Sequence, residues 1–363
     1  MENKRLLSID TLRGFDMMFI MGIAGIITST CALFPGGADC WLATQMKHVE
    51  WDGLAFMDTI FPLFLFISGM TFPFSFARRL EKGDSKRRIF WTTVRRGVVL
   101  CLLGLVFNKI FQFKPDFRIP SVLARIGLAW MFAAWIYMAC RNKWVRAIIG
   151  LLILIGYNLL LLIPAPDAAG AGSLTLNGNI VGYIDRTLMP NHIYIKGVFD
   201  PEGLLSTLPA IVTAMLGQFT GEFVRTSDKS HKTLRMLCAA AILLIAGLVW
   251  NCWFPVNKKL WSSSFVLVVG AYSVALFAIF HWLIDVKGYT RWTGFFTVIG
   301  MNSITIYLAQ RIIPFKNIAE FFFGGLAGLL PEVWGKWILS LAYFAISWLF
   351  LLFLKKKQVF LKV

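Results

Sequence analysis

Apolar residues recur along the whole chain in blocks of about twenty, the length an α-helix needs to cross a bilayer. Ten blocks stand out, at about 12–33, 54–77, 97–113, 120–140, 144–163, 204–224, 234–253, 263–284, 292–313 and 337–354. The ninth is the most interrupted: Asn302, Ser303, Gln310 and Arg311 break its apolar run, and Pro314 closes it. The pattern predicts an all-α, polytopic integral membrane bundle of about ten transmembrane helices.

Basic residues orient this bundle. One set of segments holds Lys4, Arg5 and Arg13, a cluster from Arg78 to Arg96, Arg141, Lys143 and Arg146, and Arg225, Lys229, Lys232 and Arg235. It continues with Lys287 and Arg291 and ends with Lys355, Lys356, Lys357 and Lys362. The opposite segments hold Lys47, Lys109, Lys114, Arg118, Arg186, Lys196, Lys258, Lys259, Arg311, Lys316 and Lys336. The division is 24 against 11, with Arg125 inside a span. The excess of Lys and Arg on cytoplasmic segments predicts both termini and the 78–96 loop in the cytoplasm. Residues 1–363 are expected to form a single transmembrane domain. On its outer side, a long loop at about 164–203 is too rich in aromatic and aliphatic residues for disorder. It is expected to fold over the outer mouth of the bundle.

Composition agrees with a membrane class: 58% hydrophobic, 15% charged, mean hydropathy +0.69. The net charge of +17 does not point to nucleic acid, because the cations alternate with spans instead of forming one stripe. Topology and attraction to anionic membrane lipid account for most of them. The six cysteines lack metal or redox spacing; Cys31 and Cys40 are expected near the outer face, where an oxidising compartment would let them pair. There is no phosphate-binding loop, nucleophile elbow or paired-residue metal motif, so no metal is expected.

The segment HVEWDGLAFMDTIFPLFLFISG, residues 48–69, carries the most chemistry. His48 precedes the second span; if the segment is helical there, Trp51 and Asp52 share its face. Asp58 lies within the apolar run, where a carboxylate costs roughly 2.5–3.5 kcal/mol near the bilayer centre and demands a partner. A histidine with a carboxylate in reach is a general-base arrangement; a plain interfacial histidine and a helix-bonding aspartate fit the same residues. In IDTLRGFD, Asp10, Arg13 and Asp16 are spaced to neutralise one another on one helical face, or Arg13 meets an anionic ligand. Arg125 calls for a carboxylate or a cavity, and Asp58 is the expected partner. Asn302 and Ser303 either bond helices together or line a polar cavity. Glu202 reads as an acid favoured by the N-terminus of the sixth span.

In register along nearly the whole chain, SIDTLRGF at 8–15, the 48–69 segment, RIPSVLARIG at 118–127, YIDRTLMPNHIY at 183–194, DPEGLLSTLPAI at 200–211, PVNKKLWSSSF at 255–265, DVKG at 285–288 and GMNS at 300–303 resemble the transmembrane acetyltransferases related to heparan-α-glucosaminide N-acetyltransferase, in particular their shorter bacterial relatives. The resemblance implies an acyltransferase domain in the cytoplasmic (inner) membrane of a bacterium. It implies transfer of an acetyl group from cytoplasmic acetyl-CoA to the amine of a glucosamine-type amino sugar or glycan on the outer side. It also implies a catalytic histidine in the HxxWxG stretch, which is His48. The animal lysosomal member of the family has an asparagine in its first membrane helix; the matching Gly22 to Gly25 here has none.

An amine attacking a thioester needs a base and donors for the developing oxyanion. His48 is the expected base, oriented by Asp58 or Asp52, with an acetyl-histidine intermediate as the variant. Arg13, Arg125, Asn302 and Ser303 are expected along the donor, and Trp51, His192 and Glu202 at the acceptor. An O-acyltransferase of cell-envelope polysaccharide and a secondary transporter are the alternative readings. A homodimer is left open.

Overall fold

The computed structural model describes residues 6–112, 115–168, 170–226 and 231–361. Lys4, Arg5, Lys114, Lys229 and Lys362 lie outside the described residues. Among the described residues the regular structure is helical, and the β-type contacts are two isolated bridges, Pro164 with Asn179 and Ile195 with Phe199.

Among the described residues, eight helices are long and apolar enough to cross a membrane: Leu7–Cys31, Phe56–Glu81, Lys86–Phe107, Val122–Ala139, Lys143–Leu161, Lys232–Asn251, Ser263–Val286 and Glu332–Lys356. The chain is thus an integral membrane protein of the polytopic helical class. Two of the ten expected spans differ. The 204–224 block forms helix Thr207–Thr226, but Thr213, Gln218 and Thr220 dilute its apolar character, and all three side chains are buried within the protein. The 292–313 block is two short helices, Thr293–Met301 and Ser303–Ile312, which break at Asn302. A further helix, Phe315–Gly328, occupies a stretch expected to be a loop. The 78–96 region is only a tight turn between Glu81 and Lys86, so Arg87, Arg88, Arg95 and Arg96 sit on the helix that follows.

The chain forms two compact units. The first comprises residues 1–49, 55–60 and 276–362. Its N-terminal helix changes to a π-turn at Phe19–Ile23, with Gly22 at φ +139°, a value that glycine tolerates and other residues do not. The amide of Gln310 donates to the Met21 carbonyl at 3.2 Å, so the irregular turn keeps its hydrogen bonding. Helices Leu7–Met18 and Thr293–Met301 touch through glycine: a Cβ on Gly14 would lie 1.9 Å from the Phe296 carbonyl oxygen, and one on Gly300 2.1 Å from that of Asp10.

The second unit comprises residues 50–54 and 61–275. Within a membrane, helices associate by close packing of small residues rather than by escape from water. Here helix Thr207–Thr226 lays Gly217 on the Phe66 carbonyl and Gly221 on that of Met70, while Gly69 meets the Ala214 carbonyl in return. The 164–203 loop is folded, as its composition requires. It contains helix Ile180–Leu188, capped by the Asn179 side chain. Ile180, Val181 and Phe199 form a closed apolar cluster with Tyr157, Leu161, Phe254 and Leu260 at the ends of the neighbouring helices.

These contacts separate two kinds of glycine. Gly217→Ala places a methyl about 2.0 Å from a backbone oxygen and is expected to lower the thermal midpoint by several degrees or more. Gly156→Ala, with nothing within 4 Å, is expected to be neutral or slightly stabilising because alanine is the better helix former. Equal midpoints in detergent for the two variants would contradict this packing.

Candidate functional site

Residues 47–55 are not helical, so Trp51 and Asp52 do not share a helical face with His48. The loop leads into helix Phe56–Glu81, and Asp58 occupies that helix's first turn. Its carboxylate is completely buried, whereas the His48 side chain is 56% exposed. His48 Nδ1 lies 2.8 Å from Asp58 Oδ1. The second oxygen, Oδ2, accepts from the Ala55 amide at 3.0 Å and the Val49 amide at 3.3 Å. The Ala55 bond is the reach-back half of a capping box, in which an acid in the first turn satisfies an amide at the helix entrance. The partner demanded by a carboxylate in an apolar run is therefore His48, assisted by two backbone amides and the positive end of the helix.

A carboxylate at Nδ1 holds the proton there. That leaves Nε2 as the lone-pair nitrogen of the neutral ring, and the ring is held where its outer edge is accessible. The Phe56 amide donates to Gln45 Oε1 at 2.8 Å, fixing the chain on the other side of the same turn.

The expected partnership of Arg125 with Asp58 is not formed. The Arg125 side chain is buried and donates to Ser206 Oγ and, at 3.4 Å, to the Gly203 carbonyl. Its guanidinium also lies 5.0 Å from the Trp261 ring centre. Asp52 accepts from the Asn257 side-chain amide at 3.1 Å, and Gly53 N–H donates to the Val256 carbonyl at 2.9 Å. Trp51 Nε1 donates to the Leu174 carbonyl at 2.8 Å, with its ring edge-on to Phe199. Asp52 and Trp51 thereby fasten residues 50–54 to two loops of the second unit.

His192 Nδ1 donates to the Phe117 carbonyl at 2.7 Å, and the Ile119 amide donates to the His192 carbonyl at 2.8 Å. Glu202 does not begin a helix, because the sixth block turns helical only at Thr207. Instead Glu202 and Asp200 share Arg118, which forks onto Asp200 at 2.9 and 2.6 Å. Burial lowers the Arg118 pKa, but these two carboxylates outweigh it and raise the value above that of free arginine.

In the first unit, Arg13 lies 3.7 Å from Asp10. The three-way neutralisation expected from the spacing stops there: Asp16 is fully buried with both carboxylate oxygens unpartnered. Periodicity revealed the acid but not its complete burial. Asn302 is buried at the helix break, donating to the Val359 carbonyl at 3.3 Å and accepting from Thr305; Ser303 is buried beside it. Cys31 and Cys40 are both free thiols. Among the described residues, no group of three His, Cys, Asp or Glu is placed to hold a metal ion.

The fold and site are those of a polytopic helical membrane protein with a solvent-reaching histidine on a buried carboxylate. Two curated relatives identify its kin. Heparan-alpha-glucosaminide N-acetyltransferase of Homo sapiens is 28% identical over 374 residues, 87% of this chain and 54% of its own length. The enzyme of the same name from Mus musculus is 28% identical over 365 residues, 85% of this chain and 54% of its own. The chain is related to these N-acetyltransferases and spans about half their length. No family model matches it.

One residue missed by sequence reasoning is Asp185, on the helix Ile180–Leu188 of the 164–203 loop. Its Oδ1 accepts from the Leu204 amide at 2.9 Å while Oδ2 is buried without a partner, against Gly203. Burial pushes its pKa up to about 7; the Leu204 amide and Arg125 oppose the rise and Asp200 adds to it. The folded protein therefore keeps a proton that the unfolded chain loses near pH 4. Stability from this group is fully present below that pH and is lost as pH rises toward 7. Asp185→Asn keeps an oxygen for Leu204 and is expected to flatten this loss. The test is the thermal midpoint of both proteins at pH 5 and pH 8; an equal fall in both would remove Asp185 as its source.

Proposed function

We propose that this protein is a membrane acetyltransferase that moves an acetyl group from acetyl-CoA to the amine of a glucosamine-type sugar, with His48 as the base. The observation that carries the reading is the 2.8 Å His48–Asp58 pair in a chain related to N-acetyltransferases. The amine nitrogen attacks the thioester carbonyl carbon, and His48 Nε2 takes the proton that the nitrogen must shed. The C–N bond forms, the C–S bond breaks, and the departing thiolate takes up that proton from the His48 imidazolium to leave as the free thiol. Asp58 stays ionised and steadies the imidazolium while that charge exists.

The same proposal assigns Arg13 to the phosphates of acetyl-CoA as a charge-assisted donor. Asn302 and Ser303 are assigned to the donor's uncharged arm. Trp51, His192, Glu202 and Arg125, all within the second unit, are assigned to ligand binding there. The proposed setting is a bacterial inner membrane with both chain ends in the cytoplasm. The donor is made in the cytosol and is too charged to cross lipid, which supports Arg13 on that side.

Purified protein with labelled acetyl-CoA and glucosamine should yield the N-acetyl sugar. His48→Ala is expected to abolish turnover and to lower the thermal midpoint by a few degrees, because it also removes the Nδ1 bond to the buried Asp58 carboxylate. Asp58→Asn presents an N–H to Nδ1 and forces the proton onto Nε2, so kcat should fall on the order of 10³–10⁴-fold. Turnover within tenfold of wild type in either variant would sink the assignment of His48 as base.

Orientation has its own measurement. In a background without the native cysteines, Lys86→Cys should resist an impermeant thiol reagent in intact cells, and Asn177→Cys should react. The opposite pattern would reverse the proposed topology.

A further inference from the structure

A groove of about 360 Å³ runs along the outside of the second unit, between helices Lys143–Leu161 and Thr207–Thr226. Its walls include Leu154, Met215 and Phe219, its floor Gly150, and one end Lys143 and Trp144. From Lys143 to Leu154 is about eleven residues, or roughly 16 Å of helix. That is about half of the roughly 30 Å hydrocarbon core, the depth of one leaflet.

The polar end is cationic. Lys143 is exposed, with its ammonium 5.4 Å from the Trp144 ring centre. Arg141 and Arg225 are exposed on the adjoining helix ends. Glu222 is engaged by the buried Arg146, whose guanidinium lies 4.3 Å from the Tyr137 ring centre. Tryptophan at such a position marks the level of lipid headgroups. The floor exists because position 150 has no side chain: a Cβ there would find only Met215 and Val212, at 3.6 and 3.7 Å.

We propose that this groove is a specific site for one anionic glycerophospholipid, with an acyl chain lying over Gly150 and the phosphate against Lys143. Charge complementarity selects the headgroup, because a zwitterionic lipid brings its own cation to an end already rich in positive charge. A one-leaflet length selects an acyl chain over a soluble apolar ligand.

The test uses the full-length protein in mixed micelles with phosphatidylglycerol and phosphatidylcholine at equal concentration, read by native mass spectrometry. The wild type is expected to retain phosphatidylglycerol about fivefold over phosphatidylcholine. Lys143→Glu should abolish that preference, and Gly150→Phe should reduce retention of both lipids by filling the floor. If Gly150→Phe fails to insert, the exposed Lys143→Glu variant still decides the matter. Equal retention of the two lipids by wild type would overturn the proposal, as would a preference unchanged in Lys143→Glu.

Discussion

The buried carboxylate of Asp58 is the constraint that gives this chain its chemical possibilities. A charge in an apolar helix entrance survives only if all its lone pairs are used. Here one oxygen holds an imidazole nitrogen and the other holds two amides of the preceding loop. The same requirement that makes Asp58 tolerable therefore fixes the loop, the ring orientation and the tautomer of His48 together. No separate device is needed to present Nε2.

The second unit solves a different problem. Lipid offers helices little reason to associate, so backbone contact at Gly69, Gly217 and Gly221 replaces apolar burial as the source of specificity. Outside the membrane, ordinary side-chain chemistry returns. Arg118 gathers Asp200 and Glu202, and Asn257 gathers Asp52. These bonds make Asp52 and Glu202 braces of the loops that carry them. The buried Arg125, held by Ser206 and Gly203, belongs to the same scaffold.

The sites were legible in unequal degree. His48 and Asp58 were visible as a pair because a histidine and an intramembrane acid ten residues apart both call for a partner. Asp52 offered the same chemistry at a shorter distance in sequence, and only the non-helical path of 47–55 set it toward Asn257 instead. Arg125 was assigned the nearest unexplained acid, because sequence shows the need for a partner and not the hydroxyl or carbonyl that meets it. Asp16 looked neutralised by spacing, yet Arg13 lies by Asp10 and both Asp16 oxygens are buried without a hydrogen-bond partner.

Sequence alone determined that the chain is helical and lives in a membrane, because apolar blocks of bilayer length and a charge bias between their ends are properties of composition and order. It also located the histidine and acid with chemical potential. Tertiary structure decided which blocks are continuous. Gln310 supports an irregular turn at Gly22, whereas Asn302 ends one short helix and begins another. It also decided which polar groups meet, since a hydrogen bond is won by whichever donor lies within about 3 Å, and that distance is set by packing between segments far apart in the chain.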